Sequence, residues 1–399
     1  MRPQTCCPIV IAVAALVAGC ESDSRSPLSA TPSASTDAAF TQGTNQLGGP
    51  IDGLTSVERT EFRLGQAIFD SVFTPKTGLG PLFNAPSCAT CHTGNGGASA
   101  TKEIHGTLVL ANGMCDELDS VGGFVFQDSA TPQLTAATGF TKEPIPAYAM
   151  LGHVTTPQLF GRGLLEAISD ETLRDLAEQE RQSDPRAAGR IALLSDGTIG
   201  RFGRKDQAST LLDFNSDAFL YEIGITTPTD DSVDGPIGPF PVPPGVDLAK
   251  DPELSLVKLN QTTDFVRFLA PPTSRSDPVE DQTFKRLGCA TCHVPSLQTG
   301  PSPSRALSQQ TVRAFTDLLL HDMGPGLADI CLGAAKPAEF RTEPLMGLRL
   351  RTVYLHDGRT TNLETAIRLH GGQATDARNR FDALSSTQRA NLLRYLKTL

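Results

Sequence analysis

Two copies of one pentapeptide, Cys-Ala-Thr-Cys-His, constrain this 399-residue sequence more than any other feature. A c-type haem needs two thiols that reach the vinyl groups on one porphyrin edge, and an adjacent histidine that ligates the iron. Zinc or iron–sulfur sites would need further cysteines, and a redox dithiol would not need the histidine. The sequence therefore predicts two covalently bound haem c groups, on Cys88, Cys91 and His92 and on Cys289, Cys292 and His293.

The chain is long enough for two ordinary domains, each with its own core. Strand patterns are weak, so the predicted fold class is mostly α, with two cytochrome c-like haem domains and long loops. The Pro- and Gly-rich stretch 226–252 is the predicted linker. It separates a first haem domain at 54–225 from a second haem domain at 253–399.

Helical periodicity or capping residues predict the individual helices. One helix is expected at 57–73 and another, short helix ends at Leu287, so each precedes a haem motif. Further helices are expected at 170–182, 206–221 and 261–269. Two capping boxes, Thr361 with Glu364 and Ser385 with Gln388, predict a helix that runs through His370 and a terminal helix.

The first nineteen residues have the pattern of a signal peptide, with an apolar run too short to span a membrane. Small residues lead directly into Cys20, which resembles a bacterial lipobox and predicts lipidation of Cys20. An ordinary cleaved signal with an incidental cysteine is the alternative. Residues 20–53 are predicted to be a disordered tether. These features predict a protein on the periplasmic side of a bacterial membrane, attached through its lipid anchor only.

The net charge of −10 makes nucleic acid an unsuitable partner. An acidic surface could steer a small basic electron-donor protein, although a general effect on solubility is the alternative. Outside the signal, Cys20 and the haem motifs, only Cys115 and Cys331 remain. An even number of cysteines in an oxidising compartment predicts a disulfide bond between them, with two unrelated free thiols as the alternative.

Several segments together resemble a known family, the bacterial di-haem cytochrome c peroxidases, and more closely the branch of di-haem oxidoreductases once called predicted thiol oxidoreductases. The resemblance runs from about Val57 to the C-terminus. The segments that carry it are 78–84, 161–168, 200–203, 321–326, 340–342 and 355–359. Each segment alone is weak, but their combination is specific.

For the second haem, the resemblance implies a distal ligand at the end of the helix that follows 354–358. The family usually has methionine there, but counting along this sequence leads to His370, so the second haem would have two histidine ligands. Leu363 and Ile367 share a helical face with His370. Met323 and His321 are rival ligands, and the other reading of His370 is a surface or hydrogen-bonded histidine at a helix end.

For the first haem, the resemblance implies an iron that is open, or closed by a removable loop histidine, with a glutamate that moves protons. His105 and His153 are candidates for that histidine. Glu166 is the candidate acid/base, because apolar residues flank it, and a helix-entry role is its alternative. Arg162 could stabilise a developing anion on the oxygen being cleaved, or could simply pair with Asp170.

The predicted function is therefore reduction of hydrogen peroxide or another small oxidant at the first haem, with electrons that an external donor gives to the second. A variant of this enzyme would oxidise an organic or protein substrate. The alternative from another class is an electron carrier with two six-coordinate irons, in which His105 and His370 would be distal ligands. Iron handling within an uptake system is a third possibility.

Overall fold

The computed structural model of this chain describes residues 47–229, 237–238, 240–274 and 277–399. The predicted signal peptide, the lipidation site Cys20 and the tether as far as residue 46 lie outside the described residues. Helix exceeds strand, at 35% against 14% of the chain, in agreement with a mostly α fold.

Twelve α-helices follow one another along the described chain, joined by long loops and by short 3₁₀ and π turns. They are α1 (Ser56–Phe69), α2 (Cys88–Cys91), α3 (Thr93–Gly96), α4 (Pro132–Thr138), α5 (Arg162–Glu166), α6 (Asp170–Ser183), α7 (Leu211–Ala218), α8 (Leu256–Phe268), α9 (Pro278–Arg286), α10 (Leu363–Arg368), α11 (Thr375–Asp382) and α12 (Ser386–Leu396). Within the described ranges, each helix is too short or too polar to span a bilayer.

Twelve strands form small antiparallel sheets, most of them two-residue pairs. The strands are β1 (Leu82–Phe83), β2 (Lys102–Val109), β3 (Cys115–Asp116), β4 (Val125–Phe126), β5 (Ser129–Ala130), β6 (Met150–Thr155), β7 (Ala192–Leu193), β8 (Ile199–Gly200), β9 (Leu297–Gln298), β10 (Thr311–Val312), β11 (Leu320–Asp322) and β12 (Glu339–Arg341). The largest sheet has four strands, in which β2 pairs with β3, β4 and β6.

Caps define where the helices begin. The terminal helix α12 has the predicted capping box of Ser385 and Gln388. Helix α1 has a capping box that the sequence analysis missed, in which the Thr55 N–H donates to Glu58 Oε2 at 2.7 Å. At α10 the predicted cap is wrong, because the Asn362 side chain, one residue after Thr361, accepts from the Thr365 N–H.

The close contact between α1 and α8 forms the centre of the main core. The Phe265 ring lies 5.0 Å from that of Phe62 and 4.9 Å from that of Phe69, centroid to centroid. Helix α1 belongs to the predicted first haem domain and α8 to the second, and the described residues from 47 onward belong to one compact unit. The division at 226–252 stays a prediction.

The residues just before α1, which the sequence assigns to the tether, join this core. Ile51 is only 3% exposed. Its N–H donates to the Phe268 carbonyl at 2.7 Å, and Pro50 forms a bridge to Leu269. The prediction of disorder is therefore wrong for residues 50 and 51, because burial of the apolar Ile51 side chain offsets the entropy lost on ordering them.

A disulfide bond joins Cys115 to Cys331, with their Cα atoms 5.8 Å apart. This is the pairing that the sequence analysis predicts. The bond links β3 to a segment 216 residues further along the chain. The other cysteines of the described residues, those of the two haem motifs, are free.

Gly65→Ala tests the α1–α8 contact. A Cβ at residue 65 would lie 1.8 Å from the Gln261 carbonyl oxygen and 2.9 Å from Phe265 Cβ, so the helices would have to separate. We expect a loss of about 1–3 kcal/mol in the free energy of unfolding, measured by chemical denaturation. Gly326→Ala is the control, because no atom lies within 4 Å of its Cβ position. Equal stability of the two variants would contradict this packing.

Candidate haem sites

The second motif lies in a tight turn directly after α9. Gly288 has a φ of 86°, in the left-handed region, and starts the 3₁₀ turn Cys289–Thr291. Cys289 and Cys292 are half-buried free thiols on the wall of a large cavity. His293 follows on the same wall, so the three groups that attach and ligate a haem c face one space.

His293 is neutral and has a fixed tautomer. Its Nδ1 lies 3.1 Å from the Phe315 carbonyl oxygen, which can only accept, so Nδ1 carries the proton. Burial, with a smaller electrostatic effect of His370, lowers the pKa of His293 to about 4. The lone pair of Nε2 is therefore free to bind a metal, the arrangement expected of a ligating histidine.

His370 contributes a second imidazole to the same cavity. It lies just beyond the end of α10, and its Nδ1 donates to the Ala366 carbonyl oxygen at 2.8 Å. Burial lowers the pKa of His370, so this ring is also neutral with Nε2 free. Leu363 and Ile367, which share its helical face, line the cavity as well. Two free thiols and two neutral imidazoles around one partly apolar cavity fit a haem c.

The two rival ligands, His321 and Met323, differ in the contacts that their side chains already make. His321 Nε2 lies 2.9 Å from Asp317 Oδ2, and its Nδ1 lies 3.5 Å from Cys292 Sγ. Burial would lower the pKa of His321, but Asp317 and then Cys292 raise it well above the usual value. The contact with Asp317 occupies one nitrogen of His321, which makes His321 a poorer candidate ligand than His370. Met323 also lines the cavity and stays a rival.

The first motif forms the short helix α2, with Cys88 and Cys91 as its half-buried ends. His92 comes next and packs near Phe69, with 6.0 Å between ring centroids. Burial lowers the pKa of His92 to about 4, although the backbone groups of Gly97 and Pro157 act to raise it. Two free thiols and a neutral buried imidazole again fit the attachment of a haem c.

His105 is not in a loop, and the expectation of a removable loop histidine is wrong for it. It lies in the middle of β2, paired through the backbone with β4 and β6, and it is 7% exposed. Its Nε2 lies 3.5 Å from Glu103 Oε2. His153, the other candidate, is exposed on β6 opposite Ile104.

Glu103, His105 and Glu222 form a buried cluster that the sequence analysis missed. Their side-chain ligand atoms all lie within 4.8 Å of one another, and Asn84 Nδ2 donates to Glu222 Oε2 at 2.9 Å. Burial raises the pKa of Glu103 and, together with repulsion from Glu103, that of Glu222. Burial has the largest effect on the pKa of Cys91 and raises it. Both carboxylates raise it further, so they lie beside the first motif.

Glu166 lacks the apolar surroundings that its sequence neighbours suggest. Its Oε2 accepts from Arg267 Nε at 2.6 Å, and its Oε1 accepts from the N–H of Leu211, the first residue of α7, at 2.8 Å. Glu166 therefore joins α5 to α8 and α7. Its apolar neighbours along the chain are not what its carboxylate contacts.

Arg162 pairs with Glu343 and not with Asp170. Arg162 Nη2 lies 3.3 Å from Glu343 Oε1, and its Nε donates to the Gln158 carbonyl at 3.0 Å. Asp170 instead forms its ion pair with Arg201. Arg162 is buried and acts electrostatically on His92, so it lies near the first motif.

A fold with two such sites defines a class of proteins, the di-haem oxidoreductases. The family described as "Di-haem oxidoreductase, putative peroxidase" matches residues 146–399, well over half of the chain, and this protein belongs to it. The resemblance found in the sequence is thereby confirmed. No curated protein matches the chain significantly.

Three solved structures are similar to this chain. Hydrazine synthase of Kuenenia stuttgartiensis is 15% identical, with 90% of this chain and 97% of that chain covered and a TM-score of 0.40. A MauG-like protein associated with microbial copper homeostasis is 15% identical, with 88% and 91% covered and a TM-score of 0.37. The diheme peroxidase BthA from Burkholderia thailandensis is 16% identical, with 90% and 91% covered and a TM-score of 0.39.

Proposed function

We propose that this protein is a c-type di-haem enzyme that reduces hydrogen peroxide or another small oxidant at its first haem. An external donor, expected to be a small soluble protein, supplies electrons to the second haem, and they pass to the first. The observation that carries this proposal is the asymmetry of the two sites. Two neutral imidazoles face the second cavity, whereas buried acids lie beside the first motif.

Covalent attachment follows from the four free thiols. Cys88 and Cys91 would each form a thioether bond to the first haem, and Cys289 and Cys292 to the second, with His92 and His293 as proximal ligands. Bound haem supplies iron that exchanges single electrons and reacts with peroxide. The protein holds, orients and tunes that group, and its own side chains move the protons.

The second site has the features of an electron-entry site. His293 and His370 line the same cavity and would both serve as ligands of the second haem, which suits electron transfer without a substrate. An imidazole in place of the usual methionine lowers the haem potential. The hydrogen bonds from Nδ1 to the Phe315 and Ala366 carbonyls fix both rings, so little reorganisation is needed when an electron arrives or leaves.

The first site has the groups that peroxide reduction needs. Cleavage of hydrogen peroxide to two waters consumes two electrons and two protons. Two carboxylates as close as those of Glu103 and Glu222 do not both ionise readily, so the pair retains a proton near neutral pH. We assign proton transfer to this pair with His105, in place of Glu166, because Arg267 and Leu211 occupy the Glu166 carboxylate.

We also propose a periplasmic location, with a lipid anchor on Cys20. A disulfide bond such as that of Cys115 and Cys331 persists in an oxidising compartment. The net charge of −10 would attract a basic electron donor through long-range steering.

Electron paramagnetic resonance decides between the enzyme and the electron carrier. Protein shown by intact mass to hold two haems is examined fully oxidised, half-reduced, and then with peroxide. We expect a high-spin ferric signal in at least one state, and we expect peroxide to consume it, since one iron must be open. Only low-spin ferric signals, two in the oxidised protein and one in the half-reduced protein, with no change on addition of peroxide, would mean an electron carrier and would overturn the proposal.

His370→Met tests the distal ligand of the second haem. A thioether in place of an imidazole should raise the midpoint potential of that haem and change its low-spin signal. Potentiometric titration followed by absorbance measures the change. His153→Met is the matched control, because His153 is exposed on β6. If the potential and the spectrum stay the same, His370 is not the ligand, and Met323 becomes the candidate.

Glu103→Gln tests the proton-transfer pair. Loss of a general acid typically slows turnover by about 10²-fold or more, so we expect that reduction in steady-state peroxide reduction. Glu166→Gln is the comparison. It should chiefly lower stability, through the lost pairing with Arg267, and should keep turnover per haem close to that of the parent. The opposite ranking of the two variants would return the acid/base role to Glu166.

A further inference from the structure

One buried carboxylate in this protein holds four arginine side chains. Glu343 Oε2 accepts from Arg204 Nη1 at 2.8 Å and from Arg341 Nη2 at 2.9 Å. Its Oε1 accepts from Arg162 Nη2 at 3.3 Å and also from Arg351 Nη2. We call these four residues with Glu343 the arginine cluster. Burial would raise the pKa of Glu343, but the arginines hold it well below its usual range.

The charge of the arginine cluster is not balanced. The four arginine side chains are between 3% and 11% exposed. Among the described residues, the one further acid in contact is Asp206, whose Oδ1 lies 3.4 Å from Arg341 Nε. Burial raises the pKa of Asp206 well above its usual value. Four cations against these two acids leave an excess of at least two positive charges in a buried place. Uncompensated buried charge is strongly unfavourable, so the arrangement calls for a dianion.

The arginine cluster opens on the cavity of the second motif. Arg204, Arg341, Arg351 and Glu343 all line that cavity. The Nε atoms of Arg204 and Arg351 are buried and have no hydrogen-bond acceptor among the described residues. Buried donors without acceptors are rare in folded proteins, and here they belong to residues on the wall of a ligand cavity.

The position of the cysteines fixes which part of the haem meets the arginine cluster. Cys289 and Cys292 mark the vinyl edge, and their electrostatic neighbours are Arg380 for Cys289 and His321 with Asp317 and Glu180 for Cys292. The four clustered arginines are not among the groups that chiefly set the pKa of either thiol. The two propionates of a haem lie on the half of the porphyrin away from the vinyl groups, and together they carry two negative charges.

We propose that the arginine cluster binds both propionates of the second haem. The excess charge and the free donors match a pair of carboxylates, which arginine binds with directed, charge-assisted hydrogen bonds. Arg162 also acts electrostatically on His92, so the cluster extends from the propionate edge of the second haem to the first site. This inference rests on the proposed haem at Cys289 and Cys292.

The test uses holoprotein from cells fed 5-aminolaevulinate labelled with ¹³C at C1, which labels the propionate carboxylates. We expect Arg351→Gln to shift the labelled carboxylate bands in the infrared difference spectrum of the second haem. It should also lower the midpoint potential, because loss of a cation favours ferric iron. Arg351→Lys should restore most of the potential and only part of the band shift, since lysine lacks the planar fork.

Arg349→Gln is the matched control, because Arg349 donates to the Thr273 and Leu399 carbonyls and makes no contact with Glu343. It should change neither readout. If Arg351→Gln folds poorly, Arg204→Gln gives the same measurement. Unchanged labelled bands would overturn the proposal, as would a parent potential that follows added phosphate, which would indicate a free anion. Absence of the second haem by intact mass would instead overturn the proposed function, whatever the bands show.

Discussion

The arrangement of the second site depends on a hydrogen bond between a histidine and a backbone carbonyl. A buried imidazole can ligate iron only if it is neutral and its proton sits on the nitrogen that faces away from the metal. At His293 the Phe315 carbonyl imposes this state, and Phe315 reaches it with a left-handed backbone, at a φ of 53°. Such a conformation in a bulky residue costs about 1–2 kcal/mol. The fully buried Phe315 ring, in edge contact with Phe284 at 6.0 Å, offsets that cost.

The sequence could predict those parts of the sites that lie within a few residues of one another. The two thiols and His293 lie within five residues of one another, whereas His370 is a ligand that only the family resemblance implies and stays a prediction. The carbonyl partners could not be predicted, because Phe315 and Ala366 act through their backbones. Glu166 shows the same limit. Its neighbours along the chain are apolar, but its carboxylate meets Arg267, which lies 101 residues away.

The fold follows the same division between local and distant interactions. The sequence predicts α6 and α12, because their capping residues and helical periodicity are local signals. It does not predict β2. Its centre buries His105 and Thr107 on strands paired from both sides, so it lacks the alternation of apolar and polar residues that marks a half-buried strand. A polar strand is stable in the interior only when distant segments form hydrogen bonds with its polar groups. The pattern of a single sequence does not reveal those distant partners.

On the proposed assignment, the two haem sites differ in a way that separates their roles. An electron that arrives at the first site adds negative charge beside Glu103 and Glu222, and nearby negative charge raises the pKa of a carboxyl group. Proton uptake would therefore accompany reduction there, where peroxide needs protons. At the second site the charges nearest the proposed propionates belong to arginines, which stay protonated at physiological pH. These arginines would take up no proton when the second haem is reduced, whereas the acids beside the first motif would couple its reduction to proton uptake.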